Sequence, residues 1–196
     1  MSKKFLLLLG VLALTIGMGL NLAIAAGAEF SADMIMTDAK AKVAKGKIFV
    51  KGLQKIRQEI DSDGETSVTI LRLDKKVSWT LLPEQQYMEV PLPFDPNQPN
   101  KDVEYVETTV GDEAVNGYDC KVVQYTYKDK KLGVLTQWVS ESLGFAVKTQ
   151  TKDSKGKVTS TIVYENIKPG AQPDSLFEIP AGYKKFGLPS FKIPGM

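Results

Sequence analysis

Histidine is absent from the 196 residues, and cysteine occurs once, as Cys120. The first absence excludes Ser-His-Asp and Cys-His mechanisms and any zinc site built on imidazole. The second excludes an intramolecular disulfide, so stability has to come from an ordinary apolar core. Arginine is scarce too, with only Arg57 and Arg72, which leaves little for bidentate phosphate recognition. Charge of either sign is not in excess. The chain carries 25 basic and 23 acidic residues, and without Lys3 and Lys4 the two numbers are equal. Such a neutral, mixed surface offers no electrostatic footprint for nucleic acid or for an anionic membrane. There is no internal repeat, no glycine-rich phosphate cradle and no long helical hydrophobic period. The run Asp61-Ser62-Asp63-Gly64-Glu65 has the look of a calcium loop. Its spacing fails, because Arg72 stands where the terminal glutamate belongs. No metal, cofactor or catalytic constellation is expected.

What the chain does have begins with a leader. Lys3 and Lys4 precede an uncharged apolar stretch from Phe5 to Leu20, and Asn21 to Ala28 turns small. Those three parts predict a cleaved secretory signal over residues 1–25, with residues 26–196 as one mature domain. A cut after Ala28 satisfies the same small-x-small rule. Cysteine is missing from the exit, so lipid attachment in the manner of a bacterial lipoprotein is not expected. The mature chain is expected to be exported and to touch membranes only transiently.

The mature sequence alternates apolar and polar residues in short runs separated by turn signals, the period of half-buried strands. Phe30, Ala32, Met34 and Met36 share one face of a first strand. Further strands are predicted over Lys45 to Lys51, Leu53 to Ile60, Ser67 to Leu73, Val77 to Leu82 and Gln86 to Val90. The second half adds Tyr105 to Glu113, Tyr118 to Lys128, Lys131 to Ser140, Phe145 to Lys152 and Lys157 to Ile167. Asp63-Gly64 and Asn116-Gly117 suit tight hairpins. Four prolines make Pro91 to Asn100 a loop or flap, since proline cannot donate to a ladder. Pro173 to Phe177 is expected as a short helical turn. The fold class is therefore all-β, mainly antiparallel, with about eleven strands in a curved or partly closed sheet. Such a sheet needs something to cover its apolar face.

Several segments fall in a familiar order. They are Asn116-Gly117-Tyr118-Asp119-Cys120, the strand Tyr125 to Tyr127, and Thr136-Gln137-Trp138-Val139-Ser140. Tyr164-Glu165-Asn166-Ile167 and the closing run from Pro173 to Tyr183 follow, and the opening strands at Phe30 and Ile48 fit as well. Taken together the mature chain resembles bacterial periplasmic proteins of the LolA/LolB-like superfamily, the lipoprotein-sorting group. The resemblance implies a half-barrel of about eleven strands whose apolar concave face accommodates acyl chains in the periplasm. Carriers of that family cover the half-barrel with several helices, and this sequence has hardly any helical pattern to match them.

The large side chains Trp79, Leu81, Tyr87, Tyr125, Tyr127 and Trp138 are the candidate lining of a greasy ligand face. The competing assignment is that they fill an ordinary core. Arg57 is expected to pair with Glu59 or face solvent, and Cys120 to act as a small apolar filler. The expected function is non-catalytic: a periplasmic protein holding a lipid or an acylated protein. The alternative is a ligand-free structural or interaction protein of the envelope.

Overall fold

The computed structural model describes residues 28–186 except 53, 63 and 93–102. The expected leader and most of the proline-rich flap lie outside the described residues. The first half forms β1 (Glu29–Asp38), β2 (Val43–Lys51), β3 (Lys55–Ser62), β4 (Glu65–Arg72), β5 (Val77–Leu82) and β6 (Gln86–Pro91). The second forms β7 (Tyr105–Val115), β8 (Tyr118–Tyr127), β9 (Val134–Ser140), β10 (Phe145–Lys152), β11 (Val158–Pro169) and the two-residue β12 (Lys184–Lys185). All join one sheet in the order β12-β6-β5-β4-β3-β2-β1-β11-β10-β9-β8-β7. Every pairing is antiparallel except that of β12 with β6. The sheet is thus two meanders joined along a seam between β1 and β11, and it does not close.

Alternation works as the sequence predicts. On β1, Phe30, Ala32 and Met34 are buried while their neighbours are half-buried. Register shifts interrupt four ladders, at Ser31/Asp33, Thr109/Gly111, Ala146/Lys148 and Thr151/Lys152. Such bulges sharpen the local twist, which a sheet this wide needs in order to curl. Two expectations shift. The strand expected from Lys131 begins at Val134, because Lys130–Leu132 forms a 3₁₀ turn capped by the Asp129 carboxylate. The twelfth strand is too short to display an alternation.

The largest core lies on one side of the sheet, called here the Phe30 side. Cross-strand pairing sets Phe30, Val50, Ile56 and Leu71 in a single row. Phe145 meets the Phe30 ring edge-on, with centroids 4.8 Å apart, and also packs on Tyr164. Neighbouring rows contain small residues. Gly46 sits between Met34 and Ile60, and a Cβ built there would fall 2.1 Å from the Glu59 carbonyl oxygen. That neighbour is backbone and cannot swing away. Gly46→Ala is therefore expected to destabilise the protein by about 2 kcal/mol or more, read as a lower urea midpoint at unchanged m.

Candidate functional site

The opposite side of β2–β6 carries a row made of Phe49, Arg57, Ile70, Trp79 and Glu89. Two residues along, on the same face, Lys51, Lys55 and Arg72 form a second, basic row. A segment following β11 lies along these rows. Its 3₁₀ turn, Asp174–Phe177, lowers Phe177 into the sheet, where the ring is fully buried among Ile70, Trp79, Phe49, Leu81 and Tyr87. The basic row holds the segment down. Lys51 donates to the Gln172 carbonyl at 3.1 Å, and Lys51 and Lys55 lie 3.1 and 2.8 Å from Asp174. Arg57 donates to the Leu176 carbonyl at 3.1 Å and pairs with Glu59 at 2.7 Å.

Arg72 is the centre of this clamp. Only 4% exposed, it grips Asp74 through Nε at 2.8 Å and Nη2 at 2.6 Å. Its Nη1 donates to the Phe177 carbonyl at 3.0 Å and pairs with Glu178. Its guanidinium also stands 5.6 Å from the Trp79 ring centroid, with Lys75 Nζ at 5.0 Å. The Trp79 indole N–H donates to Glu89 at 3.0 Å, and Lys185 of β12 closes on the same carboxylate at 2.6 Å. Both arginines of the chain are thus spent on fastening one strap to one face.

The six candidate lining residues do not form one surface. Trp79, Leu81 and Tyr87 come together, under Phe177. Trp138 points to the same side but at the far end, where its indole N–H donates to Glu113 at 2.6 Å and Lys148 Nζ stands 3.9 Å over its ring. Tyr125 and Tyr127 face the Phe30 side, packing with Leu135 and with Tyr105 edge-on at 5.5 and 6.1 Å. Burial pushes the Tyr125 hydroxyl up to about 12. The Tyr127 hydroxyl is buried with no hydrogen-bond partner. Cys120 is 3% exposed in an apolar cluster with Val122 and Val147, and burial raises its thiol. Just outside it, an open depression of about 860 Å³ is lined by Asp112, Glu113, Asp119 and Glu141, with Lys121 among them. Four of its ten lining residues are acidic.

On the Phe30 side, Leu132 of the first 3₁₀ turn packs on Tyr125, Tyr127 and Leu135 at the far end, and Leu92 packs against the Phe30 core. There Met36, Ile60 and Ile162 are half-buried and pack against the Phe30 core. Ile60 ends the row Tyr164, Met34, Gly46, Ile60, which runs beside Met36 and Ile162 and dips where Gly46 has no side chain. Sequence reasoning missed this strip, and it missed Arg72 and Phe177. A signal was present for the last two: Arg72 sits between Leu71 and Leu73 and two residues before Asp74, and Phe177 is flanked by Leu176 and, past Glu178, by Ile179.

The strap makes two measurable demands. Phe177→Ala empties a filled site and is expected to cost about 3–5 kcal/mol in denaturant unfolding. The acids of the clamp fix the pH sense. Hydrogen bonds from Lys55 and Lys51 lower Asp174, and one from Arg72 lowers Asp74. Burial works to raise Glu178, but Arg72 and Lys75 leave it lowered overall. Depressed carboxylates stabilise above their unfolded values, and that contribution fades as pH falls through the folded ones. Strap contacts are therefore expected to hold at pH 5 and loosen below about pH 4. Trp79 fluorescence in a Trp138→Phe background reports it.

Set against known proteins, residues 30–144 and 134–183 match the model of a family described as a domain of unknown function, DUF4412. No curated protein matches the chain. Among solved structures, an uncharacterised conserved protein from Thermus thermophilus is 12% identical, with TM-score 0.62 over 82% of this chain and 90% of that one. The complex structure of Pseudomonas aeruginosa MucA/MucB gives 17% identity and TM-score 0.55 over 76% of this chain. The match covers 54% of that chain, so this protein spans about half its length. The LolA superfamily protein NE2245 from Nitrosomonas europaea is also similar, at 13% identity and TM-score 0.40 over 80% of this chain and 92% of that one. At these identities the likeness is one of fold. The family model covers most of the strands and the strap alike, and the chain belongs to the DUF4412 family.

Proposed function

We propose that this protein is a non-catalytic binding protein of the cell envelope that holds a lipid or a lipidated partner against the Phe30 side of its sheet. One observation carries the reading. The half-buried strip of Met36, Ile60 and Ile162, beside the dip at Gly46, has no described helix over it. The other side of the first meander, by contrast, is covered by the chain's own strap. Burying acyl methylenes there is worth about 0.8 kcal/mol each, so a short length of chain supplies useful affinity. Tyr125 and Tyr127 lie on that side and are proposed as its far end. The carboxylates with displaced titration are all lowered by cations or backbone amides. None of these is prepared as a general acid, which supports binding over catalysis. The leader-like opening of the sequence and the fold shared with MucB support a place in the periplasm.

A ligand-free envelope scaffold is the second reading, and Phe177 favours it. Where Trp79, Leu81 and Tyr87 offered a greasy face, the chain has filled it with itself.

The two readings separate on a fluorescent fatty-acyl probe and on lipid mass spectrometry of native protein. The binding reading expects co-purifying lipid and saturable probe binding. It also expects Ile60→Glu to weaken the probe at least tenfold while the circular dichroism of the sheet is kept. Absence of both lipid and probe binding, or probe affinity untouched by Ile60→Glu, favours the scaffold.

A further inference from the structure

The two edges of the sheet are treated differently. At one edge β12 is two lysines long, and Lys185 is tied back to Glu89. Short edges and lysines are the usual protections against unwanted strand addition. At the other edge β7 runs for eleven residues, Tyr105–Val115, with β8 as its single neighbour among the described residues. From Val106 to Ala114 every residue is exposed, and Val106 and Val110 are 57% and 53% exposed. The strand has neither lysine nor proline. Its one irregularity is the bulge at Val110, where Thr109 and Gly111 pair with adjacent residues of β8.

The charge on this edge has one sign. β7 carries Glu107, Asp112 and Glu113 and no basic residue. The nearby Lys121 is taken by Glu141 at 2.6 Å, and the depression beside β7 adds Asp119. A second copy of β7 laid along the first would set acid against acid, which cross-strand pairing penalises. An extended segment rich in lysine or arginine meets complementary charge on the face that carries Glu107 and Asp112 and finds a free main-chain ladder.

We infer that β7 is a docking edge for an extended basic peptide segment of a partner protein, which adds as a further strand beside it. Main-chain hydrogen bonds supply the affinity, and Glu107 and Asp112 select for positive charge. Glu113 is already engaged by Trp138 and Lys148 and contributes less. This site is at the opposite end of the sheet from β12, and it does not depend on the lipid reading.

The test uses the chain from Ala26 to Met196 and three labelled decapeptides: alternating lysine and threonine, alternating glutamate and threonine, and the lysine peptide N-methylated at every second amide. Fluorescence anisotropy is expected to show binding of the first alone, weakening as salt rises. Amide exchange across β7 is expected to slow at least tenfold in that complex. Glu107→Lys with Asp112→Lys, two exposed positions, is expected to weaken the lysine peptide at least tenfold without lowering Tm. Equal binding of the N-methylated peptide overturns the strand-addition geometry. Protection appearing elsewhere, unchanged affinity in the double variant, or a dimer protected at β7 overturns the proposal.

Discussion

A single open sheet has two faces and two edges to manage, and the described residues of this chain offer almost no helix with which to do it. Among the described residues its helical structure is two 3₁₀ turns, of three and four residues. Everything distinctive in the structure follows from how that shortage is met. Side chains, bulges and one extended strap take over the work that packed helices perform in other two-layer architectures.

The strap shows how little chain is needed when charge and shape act together. A single phenylalanine fills the hydrophobic hollow, while a row of cations reaches up to carbonyls and carboxylates of the segment above. Arg72 is the extreme case: a guanidinium nearly removed from water, tolerated because Asp74, Glu178 and the Phe177 carbonyl between them use its donors. Removing Asp74 would leave the nearly water-free guanidinium short of its main partner, which costs far more than the pair is worth when whole. β8 shows another economy. Its first half buries Cys120 and Val122 on one side, its second half Tyr125 and Tyr127 on the other, so one strand serves both faces of a twisted sheet.

Much of this was legible in the sequence, because period-two alternation is written locally. The strands, the Asn116-Gly117 hairpin, the short turn at Pro173 to Phe177 and the pairing of Arg57 with Glu59 could all be read from neighbours in the chain. What could not be read was which side of the sheet each face joins. Trp79 and Tyr125 look equivalent in an alternating pattern. They part company only through the register of eight intervening ladders, and bulges in some of those shift it. The strap was recognisable as a turn but not as a cover, since its partners on β3 and β4 lie more than a hundred residues earlier. Arg72 was hidden for the same reason: its carboxylate neighbour Asp74 is local, while the carbonyl it grips is remote.

The strand order has a consequence for how the molecule is assembled. β1 lies in the middle of the sheet, paired on one side with β2 and on the other with β11. The first meander can zip up from nearest neighbours, but its inner margin stays open until the final long strand has been delivered. Ladder closure between such distant segments is slow, and an unfinished β1 presents Phe30 and Met34 to whatever else is at hand. A chain built this way gains from a chaperone that occupies the central strand until its C-terminal mate arrives.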